Sequence, residues 1–390
     1  MNSGRTVFSQ LIGFLPDREF RRCVSRYDGD HRLREFSCWD QYLTMAFAQL
    51  TYRESWRDIE ACLRSLHGKL YHLGFHRRVA RAIPQGGTNE SRDWRIFADF
   101  AQVWIGIARP LYAHDPIGVD REHSLYALDS TTIDLCLSLF PWARFRRHKG
   151  AVKLHTRLDL HGNIPTVLRV ADGSVHDVNL LDEFLPEAGA FYGMDRGYLD
   201  FERLFLCTLG SACFVVRTKE NVWLQRRYSR PVDKTSGLRS DPTVILTEIH
   251  SATAYPDPLR RVTYCDPETN QRLKFLSNHF VLPALTIAQI YKCRWQVELF
   301  FQWIQQHLRS QAFYGTSENA GKTPIWIAVS IYVLVAIIRK RLGLQASLYQ
   351  ILQILSVTLF EKVPLLQALE ASDYQDNLLA DRNQLILFDF

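Results

Sequence analysis

No two of the eight cysteines, at positions 23, 38, 62, 136, 207, 213, 265 and 293, have the CxxC spacing of a zinc knuckle or a redox pair. That leaves reduced structural thiols in a cytosolic protein as the expectation. A signal peptide is also missing, because the apolar stretch within MNSGRTVFSQLIGFLP is too short for one. The nearly all-apolar run from 325 to 338 falls short of the roughly 20 residues that span a bilayer, so it reads as a buried core helix and implies no membrane. Acid is absent from one stretch: residues 141 to 158 carry Arg144, Arg146, Arg147, Lys149, Lys153 and Arg157 with two histidines and no Asp or Glu. Such a run concentrates positive potential where a phosphate backbone can sit. A solvated basic loop explains it equally well.

What is present is an ordinary folded composition, 47% hydrophobic and 23% charged, which excludes a disordered chain. At 390 residues the chain exceeds one typical domain, so a core with smaller modules is expected. Residues 1 to about 97 show helical patterning and no strand-like alternation. Helices are expected over Trp39 to Leu50 and, after a capping box at Ser55 to Asp58, to about Leu66. The pair fits a DNA-binding helix-turn-helix or two helices of a bundle, and with no readable recognition helix the bundle is preferred. A turn-rich stretch, 82 to 89, precedes another helix from about Ser91 to Ala108.

Around Leu125 the pattern changes. Leu125 to Leu128 is a short apolar strand ending at Asp129, and residues 152 to 160 alternate strictly between apolar and polar side chains. Gly162-Asn163 turns the chain into a partner strand from Ile164 to Val170. A helix over Asp177 to Glu187, a strand from Ala190 to Met194 delivering Asp195, a helix from Asp200 to Leu209 stopped by Gly210 and a strand from Ala212 to Thr218 follow. Strand, hairpin, helix, strand, helix, strand is the order of a ribonuclease H-like mixed sheet, in which the first and fourth strands lie side by side. Between about 220 and 285 more strands (244–249, 259–265, 272–277) predict a β-rich insertion. Its loop from Arg226 to Pro242 carries Arg226, Arg227, Arg230, Lys234 and Arg239, which read as a solvated loop or a DNA contact. Thr286 with Gln289 forms another capping box, opening a long helix through about Arg309 with Glu298 just off its apolar stripe.

An Asp at the end of a buried strand is costly unless a metal or a donor meets it. Asp129 in Ala-Leu-Asp-Ser-Thr-Thr and Asp195 in Met-Asp-Arg-Gly-Tyr both follow apolar strands. Singly, each fits a turn or helix cap. Jointly, and with Glu298 on a neighbouring helix, they fit phosphodiester chemistry, in which two divalent cations about 4 Å apart are held by converging carboxylates. Oxygen donors suit Mg²⁺, with Mn²⁺ an alternative.

These motifs resemble the bacterial DDE transposases of the insertion-sequence-four family. The resemblance rests on Leu-Asp-Ser-Thr at 128 to 131, Asp-Arg-Gly-Tyr at 195 to 198, and Tyr291, Arg294 and Glu298 at the family's spacing of Tyr, Arg, Glu and Lys. It implies cut-and-paste transposition, in which water nicks the element end and the freed 3′-hydroxyl forms a hairpin and later joins target DNA. Asp129, Asp195 and Glu298 would hold two Mg²⁺ ions. Tyr291 and Arg294 would contact phosphates, with Arg147, Lys149, Lys153, Arg196 and position 305 as further DNA contacts. Trp295 would stack on an unpaired base, unless it is simply buried. Two departures stand out: Gln305 replaces the family's Lys, and residues 82 to 89 lack a Ser-Thr-Leu pattern.

The expected architecture is therefore α/β: an N-terminal helical, DNA-binding domain (1–97), a ribonuclease H-like catalytic domain (98–345) with its β-rich insertion (220–285), and a C-terminal helical segment (346–390). The expected partners are double-stranded DNA, both terminal inverted repeats and target, with a homodimer on DNA in the bacterial cytoplasm at the nucleoid. The alternatives are a weakened or inactive transposase that only binds DNA, and a nuclease that cannot join strands.

Overall fold

A computed structural model describes residues 4–31, 36–53, 55–66, 69–75, 87–117, 124–135, 142–146, 149–267, 269–308 and 316–370. The chain divides into two compact units, Met1–Leu111 with Trp303–Phe390, and Tyr112–Gln302. The linear division by sequence grouped 98–111 and 303–345 with the catalytic core, whereas by contact they belong to the helical unit.

In the helical unit, Ser37 accepts from the Asp40 backbone N–H while the Asp40 carboxylate accepts from that of Ser37, and this box starts the helix Cys38–Leu50. All but one of its residues are buried, so it is a core helix, which agrees with the bundle reading. Its partner is Glu318–Arg341, buried from Ala320 to Ile338 apart from Lys322. By length and composition that helix could cross a membrane, but 94% of its most apolar window is covered by protein. Pro324 inside it has no N–H to offer the carbonyl of Ala320. The side-chain amide of Asn89 reaches that carbonyl at 3.4 Å, and Gln49 donates to the carbonyl of Pro324 at 3.0 Å. These two amides thus meet buried carbonyls across the bundle, as a low-dielectric interior favours. Phe100 packs edge-on against Phe20 and Tyr42 at 4.8 and 5.2 Å between ring centroids, and Phe20 lies tilted against Tyr42 at 5.6 Å.

The second unit is built on one ten-stranded sheet. Its strands are β1 (Leu125–Leu135), β2 (Arg144–Arg146), β3 (Lys149–Asp159), β4 (Ile164–Asp172), β5 (Phe191–Met194), β6 (Cys213–Arg217), β7 (Leu224–Arg230), β8 (Leu238–Leu246), β9 (Leu259–Cys265) and β10 (Arg272–Ser277). The order runs β2-β3-β1-β5-β6-β10-β9-β8-β7, with β4 beside β3. β3 lies antiparallel to β1 and β4, while β5 is parallel to β1 and to β6. The series β4-β3-β1-β5-β6 is the ribonuclease H-like arrangement, with first and fourth strands adjacent as the sequence predicts. The β3–β4 turn passes through Gly162 (φ 75°) and Asn163 (φ 57°), left-handed conformations that those two residues tolerate best.

Four details differ from expectation. The first strand does not stop at Asp129 but continues to Leu135, paired throughout with β3. The helix expected over 177 to 187 is a short 3₁₀ segment, Asp177–Glu183. The basic loop from Arg226 to Pro242 is instead a hairpin of β7 and β8, with Arg226 and Arg227 exposed on the edge strand. The insertion is β-rich, but it extends the central sheet through β10 instead of forming a body of its own.

Tyr126, Leu128, Tyr192, Met194, Phe214 and Val216 pack with Leu204 and Cys207 of the helix Phe201–Leu209 on one face. Within the extended part of the sheet, Arg260 and Asp241 are almost fully buried and joined by two 2.8 Å hydrogen bonds. Arg260 also donates to the carbonyls of His279 and Leu282. Removing one partner of such a pair strands a buried charge. Arg260→Leu is expected to cost about 3–5 kcal/mol, read as a lower urea midpoint, and Asp241→Leu in the same chain to recover part of that loss.

Candidate active site

The parallel ladder of β1 with β5 pairs Leu125 with Phe191 through Leu128 with Met194 and stops there. Asp129 and Asp195 are the next residue on each strand, so they stand at one level. Side chains alternate along a strand. Asp129 therefore lies on the side of Ala127, and Asp195 follows β5 on the side of Gly193, opposite the Tyr126–Leu128 core face. That side is covered by the helix Ala284–Cys293, whose Ile290 carbonyl and Arg294 Cβ lie 3.6 and 3.7 Å from where a Cβ on Gly193 would be. Phe275 of β10 and Tyr291 pack with ring centroids 4.5 Å apart.

The expected single long helix is two. The first starts at Ala284 behind Pro283, with no side-chain cap, so Thr286 is not its cap. It ends at Arg294, and a second helix runs Trp295–Leu308. Two tighter hydrogen bonds mark the junction, Arg294 N–H to Tyr291 C=O and Val297 N–H to Arg294 C=O, both 3.0 Å. The interruption falls on the residue whose side chain is drawn to the strands.

From that junction Arg294 Nη1 donates to Asp129 and, at 3.4 Å, to Glu298 one turn further on. The Tyr291 hydroxyl donates to Asp195 at 3.0 Å. A single nitrogen atom thus touches two of the three predicted acids, and a neighbouring side chain on the same face holds the third. Burial raises the pKa of Asp129 to about 7; Arg294 and the Ser130 N–H oppose the shift, while the Glu298 and Asp195 carboxylates add to it. Burial, with Asp195 adding and Arg294 opposing, raises Tyr291 to about 12, so its phenol remains a donor at neutral pH. Among the described residues no three His, Cys, Asp or Glu side chains converge closely enough to chelate an ion as they stand. The donor chemistry still fits a hard divalent cation, since all three acids offer carboxylate oxygens and two of them share one Arg.

The other predicted contacts divide. Arg196, next to Asp195, is exposed, with no partner among the described residues. Trp295 is 55% exposed, which excludes the buried reading. Gln305 lies exposed on the Trp295–Leu308 helix, seven residues beyond Glu298, in the part assigned to the other unit. Lys153 is turned inward: its ammonium sits 2.6 Å from Asp177 and donates to the Val175 carbonyl, which opposes the expected phosphate contact. Arg147 lies outside the described residues, and of Lys149 only its backbone, the first residue of β3, is described. Arg157 is buried over the rings of Tyr126 and Phe184.

The profile of a family described as "Transposase DDE domain" matches residues 120–334, more than half of the chain. The chain belongs to the DDE transposase family. A second profile, a domain of unknown function (DUF4372), matches residues 3–76 of this family member. It is 33% identical over 219 residues to "Putative transposase y4zB" of Sinorhizobium fredii, covering 55% of this chain and 60% of that one. Over 212 residues it is 30% identical to "Probable transposase for insertion sequence element IS5377" of Geobacillus stearothermophilus, covering 54% and 55%. The chain therefore spans little more than half the length of these curated relatives. A cryo-EM structure of the piggyBac transposase synaptic complex with hairpin DNA aligns over 97% of this chain and 86% of that one, at TM-score 0.41 and 10% identity.

Sequence reasoning missed the residues behind the acids: Asp177, Tyr198 and His155. Their only signal was position, at the start of the 3₁₀ segment, in the Asp-Arg-Gly-Tyr motif and on the alternating strand. His155 is 1% exposed, with both ring nitrogens lacking a hydrogen bond among the described residues. Burial, aided by Lys153 and opposed by Asp177, lowers its pKa to about 4. The unfolded chain takes up this proton near pH 6.5 and the folded one only near 4, so stability is full above 6.5 and falls as pH drops toward 4. That loss is on the order of 3 kcal/mol. His155→Leu is expected to flatten it, measured as the difference between the two proteins' urea midpoints at pH 7 and pH 4.5.

Proposed function

We propose that this chain is a DNA transposase that cleaves strands at insertion-sequence ends and transfers them into target DNA by a cut-and-paste route through a hairpin. The observation that supports this most is the linkage of Asp129 and Glu298 through Arg294, and of Asp195 through Tyr291, at the junction of two consecutive helices. Asp129, Asp195 and Glu298 would hold two Mg²⁺ ions, or Mn²⁺, which when bound stabilise charge on the attacking and leaving oxygens. Arg294 and Tyr291 are charge-assisted and neutral donors at the same site, suited to exchanging a carboxylate for a phosphate oxygen as DNA enters. Arg196, exposed and without a partner among the described residues, adds a cation beside Asp195. The exposed indole of Trp295, one residue from Arg294, offers a face on which an unpaired base can stack. The partner is double-stranded DNA, the element's terminal repeats and the target, with two chains synapsing two ends. The helical unit's N-terminal helices are assigned to DNA binding, and the site of action to the bacterial cytoplasm.

A second reading, a weakened copy that mainly binds DNA, is favoured by Gln305, which withholds the cation that the family's Lys supplies. In a nicking assay on a duplex carrying the element end, Asp129→Asn, Asp195→Asn and Glu298→Gln are each expected to lose about a thousandfold or more of the Mg²⁺-dependent rate. Duplex affinity should stay within about threefold. Retained nicking in any of the three would remove that residue from the site. Gln305→Lys is expected to raise strand transfer into a recipient plasmid, and unchanged transfer would count against the weakened-copy reading.

A further inference from the structure

Asp177 takes no part in the chemistry above, yet it is gripped from both strands that carry the aspartates. On the β1 side, Ser130, the residue after Asp129, donates its hydroxyl to Asp177 Oδ1. On the Asp195 side, a Cβ added to Gly197 would stand 3.0 Å from Asp177 Oδ2, so the turn after Asp195 packs its bare backbone against this carboxylate. Lys153 from β3 neutralises the group at 2.6 Å, and the buried His155 ring lies 3.9 Å from the same oxygen. The Tyr198 hydroxyl is buried with no hydrogen-bond partner among the described residues, and its charged neighbours are Asp129, Asp177, Asp195 and Arg294.

The spacing of the two aspartates needs such a tie. The backbone ladder between β1 and β5 ends one residue before them, so it sets their level, but no ladder hydrogen bond fixes how far apart the Asp129 and Asp195 carboxylates stand. We propose that Asp177 is a positioning residue that sets that distance, through Ser130 and the Gly197 turn, and so fixes the affinity of the acids for a divalent cation. The inference rests on the metal-dependent reading above. Partners that orient ligating carboxylates typically change metal affinity ten- to hundredfold when removed. Loss of a nearby negative charge would also weaken cation binding, so deletion of the carboxylate alone does not discriminate. Gly197→Ala does, because it keeps every charge while its Cβ, 3.0 Å from Asp177 Oδ2, makes the carboxylate and the turn move apart by a few tenths of an ångström.

The test is calorimetric titration of the full-length chain with Mn²⁺, alone and without DNA, for the wild type, Asp177→Ala, Gly197→Ala and Ser130→Ala. Thermal unfolding of each is followed in the presence of a chelator. Asp177→Ala is expected to bind Mn²⁺ about ten- to hundredfold more weakly, and Gly197→Ala and Ser130→Ala more weakly than wild type, while the metal-free unfolding of Gly197→Ala stays close to wild type. Wild-type affinity in Gly197→Ala, or a loss confined to Asp177→Ala, would overturn the positioning role and leave the metal reading standing. If Asp177→Ala does not fold, Gly197→Ala and Ser130→Ala decide the matter by the same criterion. A wild-type chain that takes up no Mn²⁺ would overturn both.

Discussion

The parallel pairing of β1 with β5 is only four residue pairs long, and the site depends on where it stops. Because paired strands rise together, the first residues past the ladder stand level with each other, and those residues are Asp129 and Asp195. Because side chains alternate, both acids approach the face covered by the helix that begins at Ala284. A slip of one residue in register would send them to opposite faces, and the core pairs of Tyr126 with Tyr192 and Leu128 with Met194 oppose that slip. The apolar packing of one sheet face thus aligns the acids on the other.

Clustering three carboxylates in a partly buried cleft is unfavourable in itself, and the surroundings reflect it. Arg294 joins Asp129 and Glu298 from an interruption in its helix, Tyr291 supports Asp195, and the Ser130 N–H supports Asp129. Even so, burial keeps Asp129 near neutrality in its titration. A site so short of positive charge has a standing affinity for a cation or a cationic side chain, and Arg294 satisfies part of it.

The family member is built as two units. The sheet unit carries the acids, whereas the helical unit draws on both ends of the chain, with Cys38–Leu50 and Glu318–Arg341 as its buried helices. The insertion between Asp195 and Glu298 widens the sheet by four strands and ends in an exposed edge hairpin bearing Arg226 and Arg227. The buried Arg260–Asp241 pair and its two carbonyl acceptors tie that added portion together.

Periodicity and turn residues by themselves determined the strands from 125 to 218, the hairpin at Gly162-Asn163 and the apolar core helix near 325 to 338, because each depends on local backbone preference or alternation. What local rules cannot carry was decided only by the tertiary structure. The first strand runs past Asp129 because β3 is there to pair with it, and the basic stretch after Arg226 becomes a hairpin because β9 offers an edge. Lys153 turns inward because Asp177, distant in sequence, lies beneath it, and the helix breaks at Arg294 where its guanidinium meets Asp129 from a strand 165 residues earlier. These are contacts between segments far apart along the chain, where the cost of burying a charge outweighs the preferences of the residues next to it.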